Sequence, residues 1–357
     1  MEWKLSQEQE DYRDALRDWL ADTAPVATVR RWLDSGDISE FERRYAADGM
    51  AGVGIDERLG GQGGGVVELA LTAEELARAA APSAAWMATV LAVPALAGRA
   101  EVVAEAIEGS SPAAVLVPAE RVPSSAPWLR VDDQGRVSGR AARVLGADRA
   151  GTFVAPVRAA DGRVALRLVT ADGPGVAVRR RSLLDRTRSV ADVTLDDAPS
   201  AALDVDATAV LDEMARLAAV LTAADSLGAM QRMLDMAVEY SGQRRQFGVP
   251  IGSFQAVKHA AVSILVGVEA GRSGVYYAAA SLDRAHEDRL RHAAAVKAQV
   301  TAAGSRAADT ALTIHGAIGY TWEHDLHLFY KRARLDEYLF GSPAVWNDLL
   351  ADSLRLV

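Results

Sequence analysis

The sequence contains no cysteine, which excludes disulfides, thiolate nucleophiles and Cys-ligated metals. It has no apolar run approaching the roughly 18 residues of a membrane-spanning helix. Its first residues, "MEWKLSQEQEDYRDALRDWL", are acidic and helical in pattern, so a cytoplasmic protein is expected. An excess of positive charge is missing as well. The formal net charge of −9 argues against a nucleic-acid or anionic-membrane surface, while leaving room for a local basic patch around one phosphorylated ligand. What is present, 357 residues of which 50% are hydrophobic and 24% charged, describes a globular chain long enough for one large domain or a few lobes.

Periodicity divides the chain in three. In the first 111 residues, Ser6 and Gln9 form a capping-box pattern, and Tyr12, Leu16, Trp19 and Leu20 fall on one helical face. Further helical runs, "VVELALTAEELARAAA" and "SAAWMATVLAVPALAG", are separated by Gly and Pro signals. Residues 112–205 change texture to short runs such as "AAVLVPA", "GTFVAPVR" and "RVALRLVT" between turn residues, the pattern of a small all-β lobe. Long helices return over 206–357; the first of them would span about 50 Å at 1.5 Å per residue. Their alanine-rich faces permit close approach. The expected fold class is α+β: an N-terminal helical domain (1–111), a small β-barrel or sandwich domain (112–205) and a long C-terminal four-helix bundle (206–357).

Three stretches invite a functional reading. "LGGQGGG", residues 59–65, lacks the GxGxxG spacing and a βαβ setting, so it reads as a loop between helices. In "EHDLH", residues 323–327, His324 and His327 share a helix face beside Glu323 and Asp325, but no further ligand recurs at a usable spacing, and no metal is predicted. "YSGQRRQFGVPIGSFQAVKH", residues 240–259, is more specific: two arginines end a long helix, and an aromatic precedes a Gly-Val-Pro turn. Those arginines either satisfy the last carbonyls of their own helix or grip a pyrophosphate, with Phe247 packing on a planar ring.

The run from Tyr240 through Arg244, Arg245, Gln246, Phe247, Gly248, Pro250, Ile251, Phe254, Gln255, Lys258 and His259, with "IHGAIGYTWEHDLHLFYKRAR" at 314–334, resembles the acyl-CoA dehydrogenase family. The N-terminal "LSQEQEDYRDALRDWLAD" and the order of helical, β and helical segments agree with it. The resemblance implies FAD whose adenosine-diphosphate half reaches a neighbouring subunit. It places Arg244, Gln246 and Phe247 at the pyrophosphate and adenine side of that flavin, Thr313, Gly316 and Ala317 in the same groove, and Ser342 among the flavin contacts. The family usually has Gln where Thr313 stands and a second Gly where Ala317 stands. It also implies Thr-Glu-Pro-x-x-Gly-Ser-Asp and Trp-Ile-Thr segments around the flavin ring, where this chain reads "LVPAERVPSSAPW" and "SGRAARVLGADRAGTFV" and keeps neither.

Oxidising an acyl-CoA thioester to its 2,3-enoyl form needs a base for the α-proton. In most of the family a Glu before a Gly-Thr supplies it, and matching "YKRAR" without gaps places Phe340 there, with Gly341 and Ser342 at the Gly-Thr. Other members keep the base on the first bundle helix, where this chain has Ala218 beside Ala219. Asp336 and Glu337 lie within a turn of Phe340, but helical spacing pairs them with Lys331, Arg332 or Arg334 on a solvated face. Asp225 is an acid in the middle of a helix that its pattern buries. The resemblance thus points to the base-less subunit of a two-chain, α2β2 actinobacterial acyl-CoA dehydrogenase, sharing FAD with a second chain that carries the catalytic Glu and acting on an acyl-CoA, a sterol side-chain thioester among the candidates. The Ala- and Arg-rich composition suits a high-GC actinobacterium. The alternative is a self-sufficient homotetrameric flavoenzyme with a relocated acid or oxygen-dependent chemistry.

Overall fold

The computed structural model describes residues 4–124 and 128–354; residues 125–127, at the heart of "LVPAERVPSSAPW", lie outside the described part, as do 1–3 and 355–357. The first segment holds α1 (Gln7–Thr23), α2 (Val26–Ser35), α3 (Ser39–Ala47), α4 (Val66–Arg78), α5 (Ala84–Ala92) and α6 (Ala100–Ile107). Eight strands follow: β1 (Ala113–Val115), β2 (Leu129–Val131), β3 (Arg136–Leu145), β4 (Thr152–Arg158), β5 (Val164–Thr170), β6 (Val176–Arg181), β7 (Val190–Pro199) and β8 (Ala201–Leu203). The last segment is α7 (Ala207–Gln243), a ribbon of β9 (Arg245–Gln246) and β10 (Val249–Pro250), then α8 (Gln255–Asp283), α9 (Arg289–His315), α10 (Leu326–Tyr338) and α11 (Pro343–Ser353). By packing, the chain forms two units, one of Met1–Ser35, Ala70–Ala81 and Ala219–Val357, the other of Gly36–Leu69 and Pro82–Ala218.

In the helical unit, α1 begins with the expected capping box: the Ser6 hydroxyl accepts from the Gln9 N–H, and the Gln9 side chain accepts from the Ser6 N–H. Leu16 and Leu20 are buried behind it. Small residues set the helix spacing. A Cβ built on Gly228 of α7 would stand 1.9 Å from the Glu74 carbonyl oxygen, so α4 and α7 touch backbone to backbone there.

The second unit is built on one sheet in the order β6-β7-β3-β2-β4-β5-β8, with β1 pairing β4. Its pairs are antiparallel except β1 with β4 and β2 with β4. The alternation of β4 explains its two apolar faces. Phe153, Ala155 and Val157 join Leu129, Val137, Val193 and Leu195 in one core. Val154 points the other way, into a second core with Leu166, Leu203, Leu96, Val103 and Met214.

Candidate functional site

The stretch after α7 forms a two-residue hairpin, with Val249 opposite Gln246 and Pro250 opposite Arg245. Phe247 and Gly248, its central residues, have φ of 53° and 83°, the positive pair that a type I′ turn requires. Glycine takes this conformation freely; a bulky aromatic does not, and such a residue costs on the order of 1 kcal/mol. The turn holds the Phe247 ring in solvent, 93% exposed and edge-on to Phe254 at 6.2 Å. A strained phenylalanine this exposed adds little to the core beyond its edge-on contact with Phe254, which leaves a ring face open to a partner.

The arginines part company. Arg244 closes α7 through its backbone, its N–H donating to the Tyr240 carbonyl at 2.8 Å and its carbonyl accepting from Ile251 at 2.8 Å. Its guanidinium is exposed and makes no bond to the carbonyls of its own helix, so the helix-capping alternative does not describe it. Arg245 Nη1 donates to the Gly248 carbonyl at 3.2 Å and braces the turn. Gln246 is exposed, its amide turned onto the Arg245 carbonyl at 2.8 Å.

Thr313, Gly316 and Ala317 lie exposed at the end of α9. The Thr313 hydroxyl donates to the Asp309 carbonyl at 2.9 Å, and Gly316 ends the helix at φ 63° and ψ −142°, a conformation reserved for glycine. An aromatic cluster ties this end to the α7 turn: Tyr240 stacks on His315 at 4.7 Å, and His324 packs edge-on to His315 at 4.7 Å. The structure therefore brings the Arg244 turn and the Gly316 end together. The sequence carried the signal only as two rings near helix ends, Tyr240 about one turn before the end of α7 and His315 the last residue of α9. His327, the other histidine of "EHDLH", sits against Trp322 at 4.9 Å and 3.3 Å from Lys331 Nζ, and burial first, then the Lys331 and Arg30 charges, lowers its pKa to about 4.

The turn after α10 is a separate construction. Phe340 and Gly341 both have positive φ, 56° and 105°, and the Phe340 side chain is 4% exposed. The Trp346 indole N–H donates to the Phe340 carbonyl at 2.9 Å. Lys297 of α9, fully buried, donates from Nζ to the Asp336 and Gly341 carbonyls at 2.9 Å each. Burial lowers the Lys297 pKa to about 7, against the pull of Asp336 and Glu337. Ser342 is the N-cap of α11 without a side-chain cap bond, and no ring contact or hydrogen bond joins it to the Arg244 turn.

Asp336 corrects the expectation of a solvated face. It is fully buried, because Leu328, Arg332 and Asp336 recur every four residues and that row of α10 points inward. Glu337 follows the expectation in part: its carboxylate lies 3.6 Å from Arg334, and it also accepts from the Ser305 hydroxyl at 2.6 Å. Asp225 has a definite role. It takes both arms of Arg332 at 2.7 Å, neither side chain exposed, and Arg332 Nη1 adds a bond to the Ala81 carbonyl at 2.9 Å.

The resemblance implies two base positions and two halves of a flavin site, and the residues present fit these unequally. Phe340 and Ala218 are buried and apolar, so neither position accepts a proton. The Arg244 and Phe247 side chains are uncommitted and fit a pyrophosphate and a planar ring. The β-domain stretches do not fit the flavin ring. There Arg143, at φ 51°, donates through Nε to Glu120 at 3.2 Å and pairs with it through Nη2, while its N–H donates to Asp192 at 3.0 Å. The Arg143 carbonyl accepts from Ala119 at 3.0 Å, zipping the two stretches to each other. Among the described residues the two stretches are tied to each other by this internal ion pair.

Comparison with known proteins identifies the family to which the sequence and fold belong. Residues 6–105 match the family description "Acyl-CoA dehydrogenase, N-terminal domain" and 209–354 match "Acyl-CoA dehydrogenase, C-terminal domain". Acyl-CoA dehydrogenase IpdE2 of Mycobacterium tuberculosis is 30% identical over 94% of this chain and 94% of its own. Among solved structures, a chain of the ChsE4-ChsE5 complex from Mycobacterium tuberculosis superposes with a TM-score of 0.90 at 26% identity, covering 100% of both chains. A chain of a Tcur3481-Tcur3483 steroid ACAD variant does so at 0.88 and 25%, covering 98% of both.

Proposed function

The chain belongs to the acyl-CoA dehydrogenase family, and from that premise we propose that it is the base-less subunit of a heteromeric FAD-dependent acyl-CoA dehydrogenase. Its partner is a second chain of the family that carries the catalytic Glu and most of the flavin pocket. This chain contributes Arg244, Gln246 and Phe247, with Thr313, Gly316 and Ala317, to the adenosine-diphosphate side of the shared FAD, and Ser342 to the turn. Residues 1–111, 112–205 and 206–357 serve as its three domains. The substrate is an acyl-CoA thioester, and likeness to a steroid ACAD supports a sterol side-chain acyl group.

One observation carries the reading: both positions where the family keeps its base hold buried apolar side chains, Phe340 and Ala218. α-Proton abstraction needs an acceptor within hydrogen-bond reach, and neither methyl nor phenyl is one. Of the two acids within a turn of Phe340, Glu337 accepts from Ser305 and lies 3.6 Å from Arg334, and Asp336 is fully buried in the row that α10 turns inward. When bound, the flavin accepts the substrate's β-hydride. What this chain supplies is position: the Lys297 and Trp346 bonds keep the Phe340 turn in shape, and the exposed Arg244 turn offers a charge-assisted contact to a phosphate. Val262, Leu265 and Val266 form an exposed apolar stripe on α8, 52%, 43% and 62% accessible, which supports association through the bundle.

The test is to purify the chain alone and co-expressed with the acyl-CoA dehydrogenase encoded beside it, then read flavin absorbance and acyl-CoA-dependent reduction of an artificial acceptor. The complex should hold FAD and turn over, and the lone chain should do neither. Stoichiometric FAD with turnover from the lone chain would favour the self-sufficient flavoenzyme instead. In the complex, Arg244→Ala should weaken FAD retention roughly tenfold, the worth of one charge-assisted phosphate contact. Unchanged occupancy with an intact bundle removes Arg244 from the site.

A further inference from the structure

The helical unit contains a cleft of about 240 Å³ that includes none of the residues assigned to the flavin side or to the Phe340 turn. Its rim carries three guanidinium groups and one carboxylate, Arg17, Arg78, Arg232 and Glu75. Two of the three cations are spoken for. Arg17 grips Glu75 with both arms at 3.0 and 2.6 Å. Arg78 donates to Asp235 Oδ2 at 2.9 Å, and the other oxygen of Asp235 accepts from Gln231 at 2.8 Å. Asp235 stands three residues after Arg232 on α7 and is its natural intrahelical partner, but both of its oxygens are taken. Arg232, half-buried, makes no hydrogen bond or ion pair among the described residues.

The rest of the cleft is apolar. Leu20 and Ala24 at the end of α1 and Phe329 of α10 are each 2% exposed and form its floor. A half-desolvated cation with no counter-charge, above an apolar floor, favours a ligand that brings both an anion and a hydrocarbon body. One uncommitted fork matches one carboxylate bidentately, whereas a phosphate dianion needs the further donors that Glu75 and Asp235 already occupy. The volume lies below the roughly 300–1,000 Å³ of drug-sized sites, so the body is only a few carbons long.

We propose that this cleft binds a short-chain organic carboxylate, its head on Arg232 and its alkyl body on Leu20, Ala24 and Phe329. The proposal does not depend on the acyl-CoA dehydrogenase reading and stands or falls by itself.

Sodium hexanoate is the probe, titrated calorimetrically into the full-length chain at low salt. Saturable binding is expected, with a dissociation constant in the millimolar range or below. Arg232→Gln should weaken it at least about tenfold, and Arg232→Lys, which keeps the charge and loses the fork, should fall between. Hexanol, with the same chain and no charge, should bind far more weakly, and equimolar phosphate should not displace hexanoate. Because Arg232 has no hydrogen-bond or ion-pair partner among the described residues, Arg232→Gln should melt with the wild type; should it misfold, the lysine variant and the hexanol comparison decide. Absence of saturation, equal affinity for hexanol, equal affinity in the Arg232 variants, or preference for phosphate each overturns the assignment.

Discussion

Asp225→Ala is expected to cost the fold about 3–5 kcal/mol, a large share of the stability of a protein this size. The pair it breaks is fully buried, with Arg332 Nε and Nη2 each 2.7 Å from a carboxylate oxygen. Neither charge would have entered the core alone: desolvation penalises both, and only the bidentate geometry plus the third bond to the Ala81 carbonyl repays it. Removing the carboxylate leaves a guanidinium in an apolar interior, which is worse than having neither group. A denaturant midpoint shifted toward lower concentration at unchanged slope would show this. The double variant Asp225→Leu with Arg332→Met should recover much of the loss, because it leaves no orphan charge. If Asp225→Ala alone unfolds within about 1 kcal/mol of the wild type, the pair does not sit in the desolvated environment described here.

The second large effect is a pH dependence centred on Glu74. This side chain of α4 is 4% exposed and accepts from the Tyr276 hydroxyl at 2.8 Å. Burial, then the neighbouring charge of Glu75, raises its pKa from 4.5 to about 7. In the folded state it therefore holds its proton where the unfolded chain has released it. Its contribution to stability is full below about pH 4.5 and is lost as the pH climbs to about 7, a change on the order of 2–3 kcal/mol. Glu74→Gln keeps the acceptor for Tyr276 and cannot ionise. It should match the wild type near pH 4.5 and exceed it at pH 8. A stability difference that stays flat between those values would show that Glu74 does not titrate in this range. Lys297 works in the opposite sense. Its pKa falls from 10.5 to about 7, so the unfolded chain binds the extra proton between those values, and stability rises with pH across them. The two windows meet near neutrality.

The retained backbone of the Phe340 turn has a functional meaning under the base-less reading. Lys297 and Trp346 still hold two consecutive residues at positive φ, an arrangement that costs free energy, although no proton acceptor stands there. A turn kept in shape without its chemistry fits a subunit whose value lies in assembly.

Much of this was legible in the residues. The capping box at Ser6, the short β run of "GTFVAPVR", the length of α7 and a turn beside Phe247 follow from rules that act over a few positions. So does the base-less reading we propose, since Phe340 and Ala218 lack an acceptor in any packing. Tertiary structure decided the rest. Asp336 reads by spacing as a surface partner for its helix's own cations, yet the row it shares with Arg332 faces inward. Asp225 finds its partner 107 positions away, Glu74 and Tyr276 meet across 202, and Lys297 reaches the carbonyls of a helix end 39 and 44 residues on. Helical periodicity states which residues share a face. Which face meets which, and so which charges are desolvated together, depends on how helices far apart in the chain pack.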